Sequence, residues 1–296
     1  MPITTVGLLS PGDMGHSVGG VLRANGLQVL TCLAGRSDRS RELATKSGFE
    51  NCANLEEMVN RADIVLCVLV PARATEVAKE VAAAIRSTGA EILYIDCNAI
   101  SPKTVRGIGE IIQGVGSRFA DIGIIGPPPR KPGTRFYASG PNAQDAAELC
   151  DFGLDVRVIG DEIGQASGLK MCYGALTKGL TALGTELLVA ARALGLEDTL
   201  RAEQNESIPD VLGWLEKTVP TMPPKAYRWV GEMEEIAATF ADLGMTPNIL
   251  TGAADIYRFI AETDIGKESP ENRDQSRDMY GVVAALADAI AEPVAR

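Results

Sequence analysis

The apolar residues of this chain change their spacing once, and the change falls near residue 160. Ahead of it, apolar strand-like runs recur at 4–9, 27–33, 64–70 and 92–96, separated by amphipathic patterns such as 72–87 and 102–113. Short, mostly apolar runs alternating with helices describe strands buried on both faces, so this half predicts a βαβ series on a parallel sheet. Further strands are expected at 118–125, 135–138 and 155–158, with a helix across 143–152. Beyond residue 163 the steps become three and four: Leu169, Cys172, Leu176, Leu180, Leu183, Leu187, Ala191 and Leu194 lie along one long helix. The remainder is alanine-rich and helical in pattern, broken at Pro220, Pro223, Pro224, Gly244, Pro247 and Pro270. The expected architecture is an α/β domain at 1–162, a doubly wound parallel sheet, joined by a long helix to an all-helical domain at 163–296.

The first strand runs directly into a turn with candidate chemistry. Residues 10, 12 and 15 occupy the three glycine slots of G-x-G-x-x-G, filled here by Ser10, Gly12 and Gly15. A side chain at the middle slot would block a pyrophosphate, and one at the last would hold helix and strand apart, so the two retained glycines are the ones that matter most. The segment 16–25 carries Val18, Val21 and Leu22 on one face and ends at Gly26, which sets a pyrophosphate on a helix N-terminus. Ser10, Pro11, Gly12, Asp13, Met14 and Gly15 are therefore the expected phosphate-binding residues. At the end of the second strand a ribose 2′-hydroxyl calls for an acid and a 2′-phosphate for a cation. Arg36 and Ser37 stand there, predicting NADP over NAD, although Asp38 follows. Leu69, Val70, Pro71 and Asn98, past the fourth and fifth strands, complete the expected cofactor contacts.

Composition narrows the partners. A net charge of −11 with 46% hydrophobic and 23% charged residues describes a globular chain that repels nucleic acid and anionic lipid. The short basic-aromatic strip 225–229 does not reverse this. No apolar run reaches the ~20 residues of a membrane span, and no basic segment precedes the first strand, so a cytoplasmic protein is expected. The six cysteines, at 32, 52, 67, 97, 150 and 172, form no C-x-x-C pair, and His16 is the single histidine. Neither a disulfide framework nor a metal site is expected. Cys32, Cys67 and Cys97 read as small buried thiols of strands.

The order of parts resembles the β-hydroxyacid dehydrogenase family, a branch of the phosphogluconate-dehydrogenase-like enzymes that joins a Rossmann domain to a helical domain through one long helix. Gly12-Asp13-Met14-Gly15 matches its glycine turn, and Asp96-Cys97-Asn98-Ala99-Ile100-Ser101-Pro102 is similar to its Asp-x-Ser-Thr-x-Ser-Pro. Its substrate loop, Asp-Ala-Pro-Val-Ser-Gly-Gly followed by Gly-Thr, is similar to Asp121 through Pro127 followed by Gly133-Thr134, with Ile125 where the family has its substrate-binding serine. Gly164 through Gly174 resembles its Gly-x-Gly-x-x-x-Lys-x-x-Asn-Asn: Lys170 is kept and both asparagines are replaced, by Tyr173 and Gly174. The later Lys-Asp-Leu signature is absent, and 228–235 looks like the helical domain of a divergent branch. The resemblance implies a homodimer, Lys170 as catalytic acid/base, and a substrate site including Ile125, Gly126, Pro127, Tyr173 and Gly174.

The residues can be read chemically beside it. Reducing a carbonyl needs a hydride and a proton for the forming alkoxide, and a lysine with reference pKa ~10.4 begins as the acid and also stabilises the developing charge. Residues 170, 174 and 178 share a helical face, so the lost amide leaves a void beneath Lys170. With the loop serine also gone, a larger or less polar small-molecule substrate is expected. Tyr173 or Trp229 can line that space, while Arg130, Lys131 and Arg135 can hold an anionic group and His16 lies near the pyrophosphate. The resulting expectation is an NADP-dependent oxidoreductase interconverting an alcohol and its carbonyl, with Lys170 as general acid/base. The rivals are an imine reductase, whose related scaffold usually carries a different acid at the lysine position, and a non-catalytic NADP(H)-binding sensor.

Overall fold

A computed structural model describes residues 2–291. They gather into two compact units, the first ending at Met171 and the second beginning at Cys172.

In the first unit eight strands make one sheet: β1 Thr5–Leu9, β2 Gln28–Cys32, β3 Glu50–Cys52, β4 Ile64–Cys67, β5 Leu93–Asp96, β6 Arg118–Ile125, β7 Arg135–Ser139 and β8 Val156–Val158. Their order is β3-β2-β1-β4-β5-β6-β7-β8, so the winding reverses between β1 and β4. Strands β1 to β6 are parallel. Between them run the helices α1 Asp13–Ala24, α2 Asp38–Ser47, α3 Leu55–Arg61, α4 Ala74–Thr88 and α5 Pro102–Gln113, while α6 Ala143–Ala147 precedes β8. Alternate strand residues feed two separate apolar layers. Val65 and Tyr94 join Met58, Val77, Val81 and Ile108 on one face. Ile64, Leu66 and Ile95 join Val18, Leu22 and Leu149 on the other. That double burial is why β1, β4 and β5 read as unbroken apolar runs.

Three details depart from the expected elements. The edge strand β3 is too polar to stand out as a strand, and it exists because Leu30 and Cys32 of β2 offer it a ladder. The apolar run at 64–70 yields a strand only to Cys67, since a 3-10 turn begins at Pro71. Strand β7 runs antiparallel to β6, with β8 parallel to β7. The connection 126–134 is shorter than the dozen residues a parallel crossover needs, so the chain turns back at once. The glycine- and proline-rich loop therefore lies at the carboxyl edge of β1 to β6, the edge that carries the turn after β1.

The second unit is all-helical. The long helix α7 Gln165–Ala193 runs through the boundary, followed by α8 Glu197–Ser207, α9 Pro209–Thr218, α10 Ala226–Asp242, α11 Asn248–Glu262, α12 Asp264–Lys267 and α13 Met279–Ala291. Its core includes Leu212, Leu215, Met233, Ile236, Tyr257, Ile260, Val282 and Leu286. Among the described residues no helix is long and apolar enough to cross a membrane.

Candidate functional site

Carbonyl ends of six parallel strands face one edge, and the expected cofactor residues follow those ends. After β1 the chain enters α1 through Ser10, which has φ +67°, the single non-glycine residue in the left-handed region among those described. A left-handed L-residue costs about 1–2 kcal/mol, and the turn supports it with Gly12 N–H donating to the Ser10 carbonyl at 2.8 Å. The same carbonyl makes Gly15 obligatory, since a Cβ there would lie 2.3 Å from it. Gly12 caps α1 with no side-chain acceptor for the first-turn amides, and a Cβ at Gly12 would meet nothing within 4 Å. Open space before uncapped helix N–H groups fits a pyrophosphate.

After β2, Arg36 is half-buried and Ser37 caps α2, accepting from Ser40 N–H. The cap and a phosphate contact are compatible, because the hydroxyl accepts with its oxygen and keeps a proton to donate. After β4 come Leu69, Val70 and Pro71, with Val70 exposed. Asn98 follows β5 and is buried, with its side chain engaged inside the protein. Its Oδ1 accepts from Leu69 N–H at 2.5 Å, and its Nδ2 donates to Asp96 Oδ2 at 2.9 Å and lies 3.4 Å from Cys67 Sγ. The amide braces the loop after β4 from beneath.

Asp96 and Asp121 occupy paired positions on β5 and β6, and both are buried. Burial raises the Asp96 carboxyl to about 7, with Asp121 adding to the rise while the Asn98 hydrogen bonds and the Lys170 charge oppose it. Burial also raises Asp121, against four hydrogen bonds that favour its charged form. Its Oδ2 accepts from Gly164 N–H and Ser167 N–H at 3.0 Å and from the Ser139 hydroxyl at 3.1 Å, and its Oδ1 accepts from the Ser167 hydroxyl at 2.7 Å. Asp121 thus caps α7, where a carboxylate is favoured by the helix dipole. Two residues along β6, a Cβ on Gly123 would stand 2.5 Å from the Ala166 carbonyl and 3.3 Å from Lys170 Cβ. Glycine there lets α7 lie against the strand, which sets the half-buried Lys170 beside the carboxyl end of β6. The chemistry carried by Asp121, Gly123 and Ser167 was invisible in the sequence reading. The alternation of 121, 123 and 125 along one strand face was the available signal.

Ile125 is buried at the end of β6, and the loop beyond it is closed at its neck. Gly126 has φ +121°, and a Cβ on it would sit 2.6 Å from the Gly133 carbonyl. The Thr134 hydroxyl donates to the Pro127 carbonyl. From the tip of this loop Arg130 reaches back to α1. Its Nη2 lies 3.0 Å from Asp13 Oδ1 and its Nη1 3.1 Å from His16 Nε2, while His16 Nδ1 is 2.7 Å from the Gly12 carbonyl. Sequence reading had placed His16 and Arg130 near anions separately and did not join them.

In the second unit the space beside Gly174 is filled, which corrects the expected void. A Cβ there would stand 3.7 Å from Lys178 Nζ and 3.1 Å from Ile236 Cδ1. Lys178 pairs with Glu232 at 2.9 Å and lies 5.6 Å from the centre of the Trp229 ring. Trp229 meets Tyr257 edge-on, and the Tyr257 hydroxyl donates to the Lys178 carbonyl at 2.6 Å. Trp229 is thus committed to a polar-aromatic cluster on α7, α10 and α11. Tyr173 is about half exposed.

Residues 3–147 match the NAD binding domain of 6-phosphogluconate dehydrogenase, and residues 191–260 match a domain of unknown function, DUF1932. A 28.5 kDa protein from the 7S RNA 5′ region of Methanothermus fervidus is 34% identical over 174 residues. The match covers 59% of this chain and 66% of that protein, just under two thirds of its length. Among solved structures, the conserved protein MTH1747, described as structurally similar to 3-hydroxyacid dehydrogenases, is 29% identical with a TM-score of 0.66 over 87% of this chain and 97% of its own. The 3-hydroxyisobutyrate dehydrogenase of Mycobacterium tuberculosis, solved with L-serine, shares the fold at 20% identity and a TM-score of 0.70, over 96% and 99% of the two chains.

Proposed function

From the premise that this chain carries an NAD-binding domain of the 6-phosphogluconate dehydrogenase family followed by a DUF1932 domain, we propose that it is an NADP-dependent oxidoreductase interconverting an alcohol and its carbonyl. Residues 1–162 are the cofactor domain in this reading, and 163–296 the substrate and dimerisation domain. The observation that carries it is the seating of Lys170 against Gly123 at the carboxyl edge that also holds the turn Ser10–Gly15. Ligands of doubly wound sheets lie outside that edge, where the winding reverses, as it does here between β1 and β4.

Ser10 to Gly15 would hold the pyrophosphate on the α1 amides, Arg36 and Ser37 the 2′-phosphate, and Leu69, Val70 and Pro71 the nicotinamide side of the cofactor. The bound nicotinamide supplies or accepts the hydride. Lys170 donates its Nζ proton to the carbonyl oxygen during reduction and receives it back in oxidation. Asp121 positions Lys170 by fixing the first turn of α7, and Asp96 lies close enough to feel the lysine charge. Ile125, Gly126, Pro127, Tyr173, Gly174 and Trp229 are the substrate-side residues of the reading. With Ile125 in the serine place, the substrate is a hydroxyacid or a larger, less polar alcohol.

A homodimer accompanies this reading. Leu169, Leu176 and Leu183 recur every seven residues on α7 and stay exposed, Leu176 to 67%, an apolar stripe of the kind a second helix covers. A cytoplasmic setting suits the six free cysteines.

The test is kinetic. NADPH should show a lower KM than NADH, and Lys170→Ala should lose more than tenfold in kcat on the best member of a hydroxyacid, aldehyde and cyclic-imine panel. Equal KM values would remove Arg36 from its role. Preference for the imines would favour an imine reductase, and NADPH binding with no turnover on any compound would favour the sensor.

A further inference from the structure

We propose that Arg130 is the cation of the dinucleotide site: its guanidinium takes a pyrophosphate oxygen at the first turn of α1 and so ties the loop 126–133 over the carboxyl ends of β4 and β5. This rests on reading residues 3–147 as a working dinucleotide site.

The electrostatic need comes first. The chain carries a net charge of −11, and the acidic side chain within the first turn of α1 is Asp13. An unpaired carboxylate at that N-terminus would repel a pyrophosphate across the space in front of Gly12. Arg130 neutralises it at 3.0 Å. A guanidinium has five N–H donors in a planar fork, so the contacts to Asp13 and His16 leave others for a phosphate oxygen.

The placement is specific. The Gly12 carbonyl can only accept, so His16 Nδ1 carries the proton and Nε2 presents the lone pair that receives Arg130 Nη1. His16, in the first turn of α1, is buried, which makes it a fixed post for the guanidinium at that turn. Arg130 arrives there from β6, three strand spacings from β1 in the order β1-β4-β5-β6, or about 14 Å. The loop therefore crosses the ends of β4 and β5. Its neck, closed at Gly126, Gly133 and Thr134, and its four prolines within 127–132 limit the conformations from which Arg130 must be drawn. Because Ile125, Gly126 and Pro127 form the base of that neck, seating the pyrophosphate on Arg130 also fixes those substrate-side positions, which makes dinucleotide the first ligand to bind.

Dissociation constants of the full chain for NADPH, NADH and adenosine 2′-phosphate, measured by titration calorimetry, test the assignment. Arg130→Ala should weaken NADPH and NADH alike, by tenfold or more, and leave adenosine 2′-phosphate unchanged, since that probe lacks the pyrophosphate. Arg130→Lys should recover part of the loss. If Arg130→Ala binds both dinucleotides as tightly as the wild type, or more tightly, the assignment is wrong. It is also wrong if Asp13→Asn with Arg130→Ala restores wild-type affinity, because neutralising Asp13 would then be all that Arg130 does. Wild-type chain that binds neither dinucleotide overturns the dinucleotide site itself, whereas unchanged affinity in Arg130→Ala overturns this inference alone.

Discussion

Asp96 and Asp121 stand side by side on paired positions of β5 and β6, two buried carboxyl groups in adjoining strands with different partners. Asp121 is saturated by the first turn of α7 and by Ser139, whereas Asp96 accepts from the backbone and side chain of Asn98. Asp121 is therefore the structural member and Asp96 the titrating one.

Replacing Asp121 by alanine leaves Gly164 N–H, Ser167 N–H and two hydroxyls without their acceptor. With a cost of ~1–3 kcal/mol for each buried group left unpaired, Asp121→Ala should lose at least ~3 kcal/mol in urea unfolding. It should also lower kcat, because the first turn of α7 carries Lys170. Asp121→Asn, which keeps one acceptor oxygen, should fall between the two.

Asp96 gives a pH dependence whose sign can be worked out. Its folded pKa, about 7, lies above the ~3.9 of an unfolded chain, so the folded state binds this proton more tightly. The associated stability is complete below about pH 4 and is lost as pH rises to about 7. Asp96→Asn cannot titrate, so the wild type should lose ~4 kcal/mol relative to it between pH 4 and pH 8. A difference between the two proteins that stays constant with pH, measured by urea unfolding, would remove the assignment.

The turn after β1 offers a paired test. Ser10→Gly relieves a left-handed serine and should stabilise the chain by about 0.5–1 kcal/mol, after the entropy cost of a glycine in the unfolded state. Gly15→Ala pushes a methyl group against the Ser10 carbonyl and should abolish dinucleotide binding measured by fluorescence titration, while Gly12→Ala should weaken binding and leave thermal stability near that of the wild type.

Gly174→Asn would put back the amide that the family pattern carries. Here the new side chain meets Ile236 and Lys178, so the substitution should cost ~1–3 kcal/mol of stability and displace the ammonium from Trp229, read as a change in tryptophan emission.

Spacing along the chain was enough for the sheet, the long helix and the glycine turn, because strands buried on both faces must be apolar throughout and a dinucleotide turn tolerates no side chain where the phosphate comes close. The loop 126–133 was equally legible, since its glycines and prolines follow a recognisable strand end. What each residue touches was another matter. The amide of Asn98 faces inward to Asp96 and Leu69, Lys178 occupies the space beside Gly174, and Arg130 meets His16 and Asp13 across 114 and 117 residues of chain. The Arg130 contacts have no local pattern. They depend on strand order and on the reversal at β7, which bring together side chains whose separation in sequence carries no trace of their distance in space.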